Sequence, residues 1–164
     1  MSMNEEQLIR RDRMRFTKNT LSSGLALLAI LLNVLYFVSI YKSDVGSYYY
    51  NILIGASVLY NLVFMLVVFL SSEGVKGYKI GYAYVLIVVG LLQIVRIFIL
   101  PMRAHTATVT INQQETIVMQ TAQFIRVIVY LCASSVCCIV AGIVGIQKSR
   151  TLSAYMATLN QKAA

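Results

Sequence analysis

Four uninterrupted apolar runs, residues 21–41, 52–70, 80–100 and 124–146, constrain this 164-residue chain more than any other feature. Runs of 19 to 23 residues reach roughly 28–35 Å as helices at ~1.5 Å per residue, enough to cross a hydrocarbon core ~30 Å thick. In lipid the backbone has only itself to bond to, so each run is expected to be an α-helix. Composition agrees: 59% of residues are hydrophobic and the mean hydropathy is +0.74, too apolar for a water-exposed surface on a chain this size. The expected fold is an all-α integral membrane protein with four transmembrane helices in a bundle. Residues 1–19 form a basic tail, 20–147 the membrane domain with an extended outer segment at 101–123, and 148–164 a second tail. Basic residues precede the first run, as in a signal peptide. That run is longer than a typical signal core and no small-x-small cleavage site follows, so it is expected to be a retained span.

The formal charge of +8 is arranged by topology rather than as a patch. Five Lys or Arg precede span 1, two (Lys76 and Lys79) lie between spans 2 and 3, and three (Lys148, Arg150 and Lys162) follow span 4. The opposite loops hold only Lys42 and Arg103. Ten against two places both termini in the cytoplasm by the positive-inside bias and argues against a nucleic-acid partner. The sequence has no N-glycosylation sequon and no loop cysteine, which favours a bacterial inner membrane over other plasma membranes.

The first tail carries a capping-box pattern, Ser2-x-x-Glu5, and an i,i+4 pair of Glu6 with Arg10. It reads equally as a mobile tail or as a short basic helix lying on the anionic leaflet with Leu8, Ile9 and Phe16 dipping in. Tyr48, Tyr49 and Tyr50 suit an interfacial belt at the start of span 2, while Gly74 and Gly77 mark a tight turn before span 3. After Pro101, Thr106, Thr108 and Thr110 alternate with apolar residues, and Asn112-x-x-Glu115 then signals a helix start. The economical expectation is a fourth helix beginning near Asn112 and projecting beyond the membrane. The competing one is a hairpin of "ATVTI" against "ETIVM".

Little here suggests catalysis. The six acids, Glu5, Glu6, Asp12, Asp44, Glu73 and Glu115, all lie outside the spans, which also argues against proton-coupled export through an intramembrane carboxylate. His105 has no second histidine or cysteine near it in sequence, so no metal or other cofactor is expected. Cys132, Cys137 and Cys138 fall within span 4, without CxxC spacing, and read as packing residues.

The informative residues are polar or small ones on the spans. In span 1, Ser22, Ala26, Ala29, Asn33 and Tyr36 share a face, and Asn61, near Ser57 in span 2, comes to the depth of Asn33 across an antiparallel pair. In span 4, Ser134, Cys138, Ala141 and Gly145 form a narrow small-residue stripe, a candidate interface with a helix of the same chain or of a partner. The stretch "LLQIVRIFIL" puts Gln93 and Arg96 within span 3, and Arg126 begins span 4. Both arginines are expected near the outer rim. There they either snorkel to lipid phosphates or combine with Gln93, Gln120 and Gln123 into an outward-facing site for an anion or partner carboxylate.

The function expected from these features is a non-catalytic membrane subunit, accessory to or scaffolding a larger complex such as a transporter. The alternatives are a small oligomeric channel or transporter with an arginine-lined anion path, and a lipid-binding, membrane-organising tetraspan. Expected partners are membrane lipids and either other membrane subunits or further copies of the chain.

Overall fold

The computed structural model describes residues 5–40, 48–106, 108–111, 114–117 and 119–163. In chain order they form α1 (Glu5–Met14), α2 (Thr20–Ile40), α3 (Tyr48–Lys76), α4 (Ile80–Ile99), α5 (Pro101–Thr106), β1 (Thr108–Ile111), β2 (Gln114–Ile117) and α6 (Thr121–Ala163). Four helices are long and apolar enough to cross a membrane: Thr20–Ile40, Gly55–Lys76, Ile80–Thr106 and Thr121–Gln161. This is the mark of a multi-pass membrane protein. Ser2 and the span 1–2 loop with Lys42 and Asp44 lie outside the described residues, as do the side chains of Tyr48, Tyr49 and Tyr50.

Burial is distributed as lipid solvent requires. Only 33–39% of each apolar window is buried, and Leu31, Leu59, Leu62, Leu66, Val95 and Val136 are among many large residues left exposed. The interior instead holds Asn33, Asn61, Gln93, Arg96 and a series of serines. In a bilayer the driving force between helices is close packing and hydrogen bonding rather than apolar burial, so small and polar residues turn inward. Ser134 Oγ donates to Ala29 O (2.9 Å), Ser135 Oγ to Gly90 O (2.7 Å), and Ser23 and Ser72 share a hydroxyl contact of 2.8 Å. These bonds tie α6 to α2, α6 to α4, and α2 to α3.

Two apolar clusters result. One, towards the termini, contains Ala26, Ala29, Val68, Ala83, Leu86, Cys138 and Ala141; the other, towards the hairpin, contains Tyr36, Ile40, Leu100, Met119, Val127 and Leu131. On α2 the clusters are separated by Asn33, which opens the polar site described below.

The segment after α4 departs from the favoured expectation. A hairpin forms instead of a projecting helix, with Thr108 opposite Ile117, Val109 opposite Thr116, Thr110 opposite Glu115 and Ile111 opposite Gln114, and α6 starts only at Thr121. Threonine, valine and isoleucine on both flanks favour a pleated backbone over a helix that Asn112 and Glu115 alone would have to initiate. Nor does Pro101 end the helical path. Leu100 keeps right-handed helical dihedrals (φ −103°, ψ −56°), Ala104 N–H bonds Leu100 C=O at 2.9 Å, and Pro101 opens α5. Proline is tolerated there because a first-turn N–H has no intrahelical acceptor. Beyond residue 147, where a separate tail was expected, α6 continues unbroken.

The α3–α4 turn is a Schellman motif: Lys79 N–H bonds Gly74 C=O (3.2 Å) and Tyr78 N–H bonds Val75 C=O (3.0 Å). The left-handed position falls not on Gly77 but on Tyr78 (φ 58°), whose carbonyl accepts from Ser149 Oγ at 2.7 Å. A β-branched side chain is worst there. Tyr78→Val should therefore lose about 1–2 kcal/mol, whereas Tyr78→Asn should stay within about 0.5 kcal/mol of the parent because Asn tolerates this backbone. Thermal unfolding of the two variants in one detergent checks the order.

Candidate functional site: a buried arginine between three helices

Gln93 and Arg96, one turn apart on α4, share its buried face with Ala83, Leu86 and Gly90. Arg96 does not snorkel towards the helix end. It turns inward, and the residue is 5% exposed. Nη1 donates to Asn61 Oδ1 at 2.6 Å and reaches Asn33 Oδ1 at 3.5 Å; Nη2 donates to Ser57 Oγ at 2.7 Å and to Ser57 O at 3.4 Å. The faces of the guanidinium are covered by aromatic rings, with Cζ 4.4 Å from the Tyr36 centroid and 4.7 Å from that of Tyr60. A planar, weakly hydrated cation suits this enclosure better than an ammonium would, because it stacks and bonds at once.

The charge sets the direction of the whole network. A guanidinium only donates, so the neighbouring amides present oxygens. Asn61 Oδ1 also accepts from Asn33 Nδ2 (3.1 Å), and Asn33 Oδ1 accepts from Gln93 Nε2 (3.0 Å). Flipping any of these amides would set oxygen against oxygen or nitrogen against nitrogen. Of the atoms of these three amides, this leaves two buried without a hydrogen-bond partner among the described residues, the donor Asn61 Nδ2 and the acceptor Gln93 Oε1. Each costs about 1–3 kcal/mol in a water-poor interior.

Beside the network, α3 and α4 diverge around a cavity of about 240 Å³ lined by Ser57, Tyr60, Leu92, Val95, Arg96 and Ile99, among others. Its polar lining is buried, Ser57 at 8% and Arg96 at 5%, while Leu92, Val95 and Ile99 are 48–53% exposed. The cavity is thus a lateral cleft with a cationic base and an apolar mouth.

The other residues singled out in the sequence are placed differently. Arg126 and Gln120 are exposed, and Gln123 Nε2 donates to Ser39 O at 2.8 Å, fastening α6 to the end of α2. The outward site shared by Arg96 and Arg126 is therefore not formed: one guanidinium faces α2 and α3, and the other stands on the surface of α6. The span 4 stripe packs inside the chain. Ser134, Cys138 and Ala141 are fully buried, Ser134 bonds α2, Cys138 and Ala141 share a cluster with Ala26, Ala29 and Ala83, and buried Gly145 lies against Val75 and Ala83. His105 packs against Phe124, their ring centroids 4.3 Å apart and their planes tilted by 32°. Tyr60 carries no signal in the sequence; an aromatic in an apolar helix is indistinguishable from a lipid-facing one until α4 is in place.

No protein-family model, no curated protein and no solved structure matches the chain.

Proposed function

We propose that this is a non-catalytic membrane protein, a four-helix bundle with both termini cytoplasmic, that recognises an anion at Arg96 within the membrane. The observation carrying this is the buried guanidinium at the base of a cleft. Stability alone gives little reason to prefer it to an apolar residue. An arginine deep in a span costs about 2.5–3.5 kcal/mol on insertion scales, and its four interhelical hydrogen bonds, at ~0.6 kcal/mol each on average, do no more than offset that cost. Because α5 prolongs the span to Thr106, Arg96 is about 15 Å of helix from that end at ~1.5 Å per residue. Snorkelling is correspondingly harder.

The orientation is supported by the ten-to-two distribution of cations. It is supported too by α1, which is joined to α6 by Tyr155 Oη donating to Asp12 (3.4 Å) and leaves Leu8, Ile9 and Arg10 exposed. This combination suits the anionic inner leaflet of a plasma membrane, with a bacterial inner membrane the expected setting. A conduction path is less well supported: Asn33, Asn61 and Gln93, the amides such a path through the bundle would need free, are bonded to one another and buried.

An accessory-subunit role has one observation in its favour. The 43 residues of α6 span roughly 64 Å at ~1.5 Å per residue, twice a hydrocarbon core, so its last turns offer a surface beyond the membrane.

Anion recognition is tested by thermal unfolding of the full chain and of Arg96→Gln in phosphatidylcholine nanodiscs with a panel of carboxylates and phosphates of graded apolar content. At 100 times its Kd a ligand adds about 2.7 kcal/mol, a shift of several degrees. The parent should be stabilised by at least one of these anions and Arg96→Gln by none. A parent indifferent to the whole panel would leave the arginine without this role.

A further inference from the structure

We propose that the α3–α4 cleft takes a single-chain anionic amphiphile from the lipid phase, its carboxylate or phosphate against Arg96 and Ser57 and its chain along Leu92, Val95 and Ile99. This rests on anion recognition at Arg96 and adds the ligand class and the route of entry.

The route follows from which side of the cleft is open. The residues at its mouth, Leu92, Val95 and Ile99, are about half exposed and wholly apolar, so the surface they present is lipid-facing. The cluster of Tyr36, Ile40, Leu100, Ala104, Met119, Val127 and Leu131 packs the helices on the hairpin side of Asn33. On the terminal side the Ala26–Ala141 cluster does the same. A hydrated anion arriving from either aqueous end meets packed side chains. A molecule already dissolved in the bilayer meets only the gap between two helices.

Size and lining set the ligand class. About 240 Å³ exceeds a 150 Å³ cavity that accepts benzene and falls short of the ~300 Å³ at which drug-sized pockets begin. It holds a small headgroup and a short run of one chain, not a sugar or a two-chain glycerol headgroup. The rest of the chain continues over the exposed α4 surface. The polar groups at the base favour an acceptor-rich end. The guanidinium lines the cleft and donates, and Ser57 Oγ, also in its lining, lies 2.7 Å from the guanidinium and can reorient its own proton. A carboxylate or phosphate matches this set, whereas an ammonium would face the guanidinium with like charge.

The test uses the full chain in phosphatidylcholine nanodiscs, labelled with a fatty acid carrying a mid-chain diazirine. Laurate, dodecyl phosphate, dodecanol, acetate and inorganic phosphate serve as competitors at equal concentration. Labelling is expected on the peptides that hold Ala56–Tyr60 and Leu92–Leu100. Laurate or dodecyl phosphate should abolish it, with dodecanol at least tenfold weaker. Arg96→Gln should reduce labelling at least tenfold. So should Val95→Trp, which fills the mouth from a lipid-exposed position and leaves the arginine network intact. Labelling that survives Val95→Trp, or that dodecanol displaces as well as laurate does, overturns the amphiphile site. Competition by acetate or inorganic phosphate matching laurate overturns it while anion recognition at Arg96 stands. If no anion competes, both fall.

Discussion

Asn61→Leu is expected to cost this protein about 3 kcal/mol, more than removing the charge it serves. Asn61 Oδ1 is the shortest-range acceptor of Arg96, at 2.6 Å, and also accepts from Asn33. Its loss removes the closest amide oxygen from the buried guanidinium, which keeps Ser57, the longer 3.5 Å contact to Asn33 and two ring faces. A hydrogen bond to a charged group contributes about 1.5–3 kcal/mol and a neutral one about 0.5–1.5. Arg96→Leu removes the bonds of the guanidinium to Asn61, Asn33 and Ser57 but keeps the one between Asn33 and Asn61, and it removes the cost of holding a charge in the span as well, so it should change stability by about 1 kcal/mol or less. Combining the two should therefore recover much of the Asn61→Leu loss. Detergent-induced unfolding of the parent, both single variants and the double variant closes the cycle. Strict additivity, or a larger loss for Arg96→Leu than for Asn61→Leu, would contradict the picture of a guanidinium held in place at the expense of stability.

The second large effect lies at the α4–α6 contact. A Cβ on Gly142 would stand 2.7 Å from Ala83 O and 2.5 Å from Ile87 Cγ1, and one on Gly90 would stand 3.1 Å from Ser135 O. Backbone on the other helix cannot swing aside, so Gly142→Ala must separate the two helices. Overpacking of this kind costs about 1–3 kcal/mol, and Gly142→Val should reach or exceed the upper end. Gly24 is the control. A Cβ there meets nothing within 4 Å, so Gly24→Ala should gain the ~0.5–1 kcal/mol by which Ala is preferred to Gly in a helix interior. Opposite signs for Gly142→Ala and Gly24→Ala in the same unfolding assay are the expected result; equal losses would mean that α4 and α6 do not approach this closely.

These two glycines illustrate how far the sequence is informative. Both sit in apolar helices with similar neighbours, and nothing within either run says which faces lipid and which faces another backbone. Asn33 and Asn61 are more legible: rare amides at matching depth on adjacent antiparallel helices have few other partners in lipid, and they bond at 3.1 Å. Arg96 and Arg126 are the opposite case. Each lies near an end of an apolar run, and the apparent match of their depths assumed that span 3 ends at Pro101. What parts them in the structure is the face each occupies: Arg96 turns into the bundle against α2 and α3, and Arg126 is exposed on α6. The hairpin was legible only as an alternative, because a few threonines and isoleucines satisfy a strand period and a helix start equally well.

What the sequence by itself determined is the number of helices long and apolar enough to span a membrane, together with roughly where each begins. Those depend on hydropathy summed over about 20 residues against a fixed lipid thickness, a local property of each run. The tertiary structure alone decided which way each polar side chain turns. Orienting Arg96 inward requires α2 and α3 to supply oxygens and rings at its depth. Burying the Ser134–Gly145 stripe requires α2, α3 and α4 to present alanine, valine and carbonyl oxygen opposite it. Such matches are relations between helices, and a 3.6-residue period is compatible with many neighbours before packing selects one.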